Sequence, residues 1–198
     1  MKNVLFTPLD FDVNLTNIPH RLTNGATHVM PSQSPFWKYE QLLTGNGWES
    51  NLRWRDDLGP FQQQLKILVD QLPFVSLQNV RWSIQTKVAT PHLDVKPVGV
   101  EHAEWSKYVS AEPCGYRFLL HGSCTALKIH TGGKVYTPVL PHAPCGYIIN
   151  SSKAIHSVDH DPNRMTLYIR GFIDVEKHKR ILLRSIKKYS NQVIYDEE

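Results

Sequence analysis

From residue 79 onward the apolar residues of this chain stop recurring every three to four positions and begin to alternate. In NVRWSIQTKVAT (79–90), Val80, Trp82 and Ile84 take one side and Arg81, Ser83 and Gln85 the other. That is the pattern of a strand with one buried face. Short β-like runs follow: YRFLLHG (116–122), TALKIHT (125–131), KVYTPVL (134–140), CGYIIN (145–150), AIHSVDH (154–160) and RMTLYIRGFID (164–174). Clusters of Gly, Pro, Asn and Ser separate them. Many short strands at this spacing close into a sandwich or a jelly roll.

The flanks read differently. Residues 1–35, rich in Thr, Asn and Pro, read as strand and loop. PFWKYEQLL (35–43) predicts a helix, with Pro35 in its first turn and Gly45 as its stop. DDLGPFQQQLKILVDQL (56–72) predicts a second, because Phe61, Leu65, Leu68 and Leu72 repeat at helical spacing and Pro73 follows. VEKHKRILLRSIKKYS returns to the helical period. The expectation is one domain over 1–198: a helical and loop support (1–78), a β core (79–174) and a C-terminal helix (175–198). The fold class is mainly β with flanking helices, and 198 residues suffice for a sizeable core.

Charge and composition narrow the partners. The net charge of +4 comes largely from EKHKRILLRSIKK. Aromatics do not interleave with these cations as they do where bases stack, so the helix reads as a solvated face and no nucleic-acid partner is expected. Its Ile181, Leu182 and Ile186 could pack on the chain's own sheet or on a second copy, so a homodimer through this helix is one expectation. No apolar run is long enough to span a bilayer. Asp10 and Asp12 interrupt MKNVLFTPLDFDVNL, so no signal peptide and no membrane partner are expected. Cys114, Cys124 and Cys145 form no zinc pattern or disulfide framework; they read as inert thiols in a cytoplasmic protein.

One tripeptide raises a chemical question. In TPHLDVKP (90–97), His92 and Asp94 lie at i and i+2, and an extended turn can aim both at one point. They also suit a capped turn. Two His and one carboxylate make a facial site for Fe(II) with three open positions. The third ligand has to come from His121, His130, His142, His156 or His160. His156 has the best setting, entering the run IHSV after an apolar strand and a small polar turn. Eight residues later Arg164 opens the next strand, where a planar guanidinium could hold a carboxylate with two parallel hydrogen bonds. Arg170 shares a strand face with Arg164 and is the alternative anion binder. His130, His142, His160 and His178 read as surface or loop residues.

His92, Asp94, His156 and Arg164, in that order, resemble the signature of the 2-oxoglutarate and Fe(II)-dependent dioxygenases. RWSIQTKVATPHLDV, EPCGYRFLLHGS and GYIINSSKAIHSVDHDPNRMTLYIRGFID look most like the aspartyl/asparaginyl β-hydroxylase branch, which includes free-proline hydroxylases. The resemblance covers roughly residues 79–174. It implies a double-stranded β-helix, a cupin-like jelly roll, with Fe(II) on His92, Asp94 and His156. It implies 2-oxoglutarate and O2 as co-substrates, Arg164 on the distal carboxylate, and Ser83 and His121 as further co-substrate contacts. Arg117, four residues before His121, would share its face and reach substrate or co-substrate. Leu119 stands where a polar residue is expected. Many branch members carry Gly at the position of Asp94; keeping the carboxylate here implies hydroxylation rather than halogenation, because no iron position is left free for a halide.

The implied reaction hydroxylates an unactivated C–H of an amino acid, or of a side chain in a peptide or protein, and yields succinate and CO2. The chain's small size tilts the expectation towards a free amino acid or small metabolite. Trp105 and Tyr108, after the HxD motif, read equally as a lid or as a packed loop. Two readings compete: a non-catalytic cupin-like protein that binds a metal or small anion, and a zinc enzyme on the same ligands. The zinc reading does not explain Arg164.

Overall fold

In the computed structural model the described residues are 3–22, 37–45, 52–93, 111–150 and 153–197, with side chains from 115 onward in the strand that begins at 111. Two antiparallel sheets dominate. The larger contains β1 (Val4–Pro8), β2 (Trp37–Gln41), β5 (Phe74–Gln85), β7 (Ala111–His121), β10 (Cys145–Ile149), β12 (Met165–Asp174) and β13 (Ile194–Tyr195), in the order β13-β1-β10-β7-β12-β5-β2. The smaller contains β6 (Ala89–His92), β8 (Leu127–Thr131), β9 (Lys134–Tyr136) and β11 (Ile155–Val158), in the order β6-β11-β8-β9. A two-stranded ribbon, β3 (Leu43–Thr44) and β4 (Arg53–Trp54), stands apart. From β5 to β12 the chain passes back and forth between these two sheets, with the hairpin β8–β9 kept together in the smaller one. This is the double-stranded β-helix, a jelly roll.

The alternation of side chains explains why the larger sheet is buried on both faces. One face carries Tyr116, Phe118, Leu167, Ile169, Val80 and Trp82. These pack beneath α1 (Pro60–Asp70), whose Phe61, Leu65, Leu68 and Val69 form its buried stripe. Phe61 meets the Trp82 ring edge-on at 5.3 Å. Pro60 begins α1 behind Gly59, as its preset φ favours. The other face sends Leu119, Cys145, Tyr147 and Ile149 against Leu127, Ile129, Ala89 and Val158 of the smaller sheet. The molecule is therefore three layers: helix, large sheet, small sheet.

Several sequence expectations are corrected here. The helix expected over 35–43 is not found in its described part: Trp37–Gln41 is strand β2, pairing with β5 from Trp37 opposite Gln85 to Gln41 opposite Arg81. The side chain of Glu40 points back into the core, accepting from Trp82 Nε1 at 2.7 Å and pairing with Arg55 at 3.2 Å. A helix here would forfeit both partners and an edge of the sheet. The run 79–90 is not one strand. It is the end of β5, a break at Thr86–Val88, and β6 in the other sheet. The N-terminal third is more than a support, since it supplies β1, β2 and the first half of β5 to the large sheet. The C-terminal helix, α2 (Val175–Lys188), stops at Lys188, and β13 then pairs with β1. Ile181 and Leu182 of α2 pack against this chain's own core.

Candidate functional site

Strands β6 and β11 lie side by side in the small sheet with His156 directly opposite His92. Their rings are 4.4 Å apart and tilted by 47°. Each ring is held the same way. His92 Nδ1 donates to the carbonyl of Thr90 at 2.6 Å, and His156 Nδ1 donates to the carbonyl of Ala154 at 3.0 Å. A carbonyl only accepts, so Nδ1 carries the proton and a neutral ring presents its lone pair on Nε2, the tautomer a metal ligand needs. At this separation both imidazoles can converge on one ion at the ~2.0–2.1 Å of an imidazole–metal bond. His156 is buried and His92 half-buried. Asp94, the expected third ligand, lies outside the described residues. Among the described residues no three His, Cys, Asp or Glu gather into a metal-binding group.

The His pair opens into a cleft between the sheets, about 80 Å³ in volume. A single water needs only ~10–15 Å³ measured this way, so a multi-atom ligand fits. The large sheet lines the cleft in two rows of cross-strand neighbours. Nearer β12's start are Ser83 and Thr166, whose hydroxyls share a hydrogen bond of 3.1 Å. Two residues further along are Arg81, Tyr168, Arg117 and Tyr147, successive neighbours on β5, β12, β7 and β10. Trp37 closes one side. Among the described lining residues there are three guanidinium groups, Arg81, Arg117 and Arg164, and no carboxylate.

Arg164 is the most unusual of these. It is 1% exposed, among the largest fully buried side chains. Its Nη1 donates to the Ser123 carbonyl at 3.1 Å and its Nη2 to the Tyr147 hydroxyl at 3.3 Å, while its buried Nε–H has no acceptor among the described residues. The turn before β12 fixes its place. Asp161 accepts from the backbone N–H of Ser123 and of Asn163, its carbonyl accepts from Arg164 N at 2.9 Å, and Gln85 N donates to the Arg164 carbonyl at 3.1 Å. The Gln85 amide also reaches the carbonyls of Val158 and Asp159, tying this corner to the end of β11. A buried guanidinium with no carboxylate partner carries a large desolvation cost unless an anion joins it.

The structure brings His92, His156, Arg164, Ser83 and Arg117 to one cleft and leaves His121 out of it. Strict alternation would put residues 117, 119 and 121 on one face. A β-bulge intervenes: Leu119 faces Thr166 and His121 faces Met165, so Leu120 is the extra residue. His121 is thereby turned to the helix-side face. It stacks on His20 at 4.4 Å and its Nε2 bonds the Ile18 carbonyl at 3.2 Å. It packs there, away from the cleft where the sequence expectation placed it. Leu119 is in the core between the sheets, and Arg170 lies opposite Asn79 and Gly115, away from the cleft. Trp105 and Tyr108 lie outside the described residues.

Arg81, Thr166, Tyr147 and Tyr168 were missed from sequence. The signal for the first was there, since Arg81 alternates with Ser83. The others needed the strand pairing. Cys145 lies beneath the cleft, and burial pushes its thiol up to about 12, with Cys124 adding and Arg164 opposing. It stays protonated and inert at neutral pH.

No protein-family model and no curated protein matches this chain. Solved structures similar to it include an oxidoreductase of the 2OG-Fe(II) oxygenase family from Burkholderia pseudomallei. The two are 12% identical, with a TM-score of 0.44 over 73% of this chain and 72% of that one. The functional reading therefore rests on the cleft itself. No helix among the described residues is long and apolar enough to cross a membrane.

Proposed function

We propose that this chain is an Fe(II)- and 2-oxoglutarate-dependent dioxygenase that hydroxylates an unactivated C–H of an amino acid or of a side chain in a peptide. What carries the reading is Arg164: a buried guanidinium with, among the described residues, an orphan N–H and no carboxylate partner, in the same cleft as a pair of histidines whose Nδ1 bonds put the lone pair on Nε2, as a metal ligand needs. His92 and His156 would hold the iron, with Asp94 as the third ligand, and two imidazoles plus a carboxylate suit Fe(II). Arg164 and the Tyr147 hydroxyl would take the distal carboxylate of 2-oxoglutarate. Ser83 and Thr166 present hydroxyls on the wall between.

The chemistry such a pair supplies once bound is activation of O2, with 2-oxoglutarate converted to succinate and CO2 and one oxygen atom inserted into a C–H bond. The chain's own part is orientation and exclusion of water. The Nδ1 bonds to Thr90 and Ala154 stop the imidazoles from rotating. Arg164, shielded from water, binds an anion far more strongly than an exposed arginine could.

The test is spectroscopic and needs no knowledge of the prime substrate. Fe(II) and 2-oxoglutarate, added without oxygen, should produce the weak visible charge-transfer band of a chelated keto acid. His92→Ala should abolish it. Arg164→Met should keep it but require at least tenfold more 2-oxoglutarate, the loss expected for one charge-assisted contact of about 1.5–3 kcal/mol. A wild type with bound metal but no band would point to a cupin-like binding protein. No metal binding at all would reduce HLD to a turn.

A further inference from the structure

Arg81 is left unexplained by the co-substrate site. It lines the same cleft, half-buried, on β5 between β12 and β2. Tyr168 reaches its guanidinium from the β12 side, 4.8 Å from ring centroid to Cζ, and Tyr39 from the β2 side at 5.0 Å. Two rings thus flank the cation, and its strand neighbours give it no carboxylate. Among the described residues nothing accepts a hydrogen bond from it. Cation–π contact with two rings occupies the sides of the guanidinium and leaves its N–H groups unpaired among the described residues, and those N–H groups suit a planar carboxylate with two parallel bonds.

Position separates this group from Arg164. Arg164 reaches the Tyr147 hydroxyl on β10, whereas Arg81 lies on β5 at the other end of the row Arg81, Tyr168, Arg117, Tyr147, three strand spacings or about 14 Å across the sheet. The two arginines thus stand at opposite ends of the wall. We infer that Arg81 holds a carboxylate of the prime substrate, which makes the substrate a carboxylic acid: a free amino acid bound by its α-carboxylate or a residue bound by an acidic side chain. This rests on the oxygenase reading for the word substrate, but the anion site itself does not.

The probes are N-acetylglycine, which carries an α-carboxylate, N-acetyl-L-aspartic acid α-amide, which carries a side-chain carboxylate, and the neutral N-acetylglycinamide. Binding is read by saturation-transfer NMR on full-length protein saturated with 2-oxoglutarate, with Zn(II) in place of iron so that nothing turns over. At least one acid should bind while the neutral amide does not. Arg81→Met should weaken that acid at least tenfold, and Arg81→Lys, which keeps the charge but not the fork, should fall between. Unchanged thermal unfolding of both variants shows that the fold is intact. Which acid binds tells an α-carboxylate from a side-chain carboxylate. Equal binding of acid and amide, no binding of either acid, or an acid indifferent to Arg81→Met overturns the inference. The charge-transfer band of the wild type is measured in parallel. A band without Arg81-dependent binding sinks this inference alone, and Arg81-dependent binding without a band sinks the oxygenase reading alone.

Discussion

A single missing side chain positions the anion end of the cleft. Gly122 has φ +102, and a Cβ there would sit 2.6 Å from both Arg164 Cα and Asp161 Oδ2. The backbone conformation favours glycine, and the space is already filled by the turn that sets Arg164. Gly122→Ala should therefore cost about 1–3 kcal/mol of stability and raise the 2-oxoglutarate concentration for half-saturation of the charge-transfer band by tenfold or more. An unaltered titration would separate the turn from the anchor. The same corner shows what sequence could not reveal. His92, His156, Arg164 and Ser83 were legible because each depends on strand alternation or local spacing. His121 was not, because one extra residue, Leu120, inverts the alternation after Leu119. A bulge leaves no mark in a run as apolar as YRFLLHG.

Among elements, α2 is held at both ends by carboxylates. Asp174 caps it, accepting from the backbone N–H of Glu176 at 3.1 Å and Lys177 at 3.0 Å; these donors, the Lys177 N–H first, hold its carboxyl below the usual aspartate range. Asp10 receives Lys188 at 2.5 Å near the other end, and that hydrogen bond lowers its carboxyl too. A carboxyl whose folded pKa is depressed stabilises above its unfolded value, about 3.9, and loses that contribution as pH falls through the lower folded value. Asp174→Ala should thus lower the thermal unfolding midpoint at pH 7. Its deficit should narrow once the pH drops below about 3.9 and vanish below the folded value, as followed by far-ultraviolet circular dichroism. A deficit constant with pH would mean the cap works through packing. The elements themselves were mostly legible where local pattern and burial agree, as in Pro60–Asp70 and Met165–Asp174. Trp37–Gln41 misled because Pro35 and Gly45 imitate helix ends, whereas the strand exists through its pairing with β5 and the buried partners of Glu40.

For the whole molecule the decisive fact is which layer owns which group. The two imidazoles belong to the small sheet, through β6 and β11. Ser83 and Thr166 belong to the large one, through β5 and β12, and Arg164 ends the turn that leads into β12, its carbonyl accepting from Gln85 of β5. Length and alternation announced two sheets, but nothing in the chain's order says that the paired imidazoles and the buried guanidinium come from opposite layers. The division has a mechanical consequence. An ion on the imidazoles fastens one layer only, whereas a keto acid gripping that ion and Arg164 together would act as a rivet through both. Ligand binding stabilises the folded state by an amount that grows with the logarithm of ligand concentration over Kd, so in thermal scans Zn(II) alone should raise the midpoint little, 2-oxoglutarate alone little, and the two together by more than their sum. Simple additivity would mean the two layers are already locked without a bolt between them.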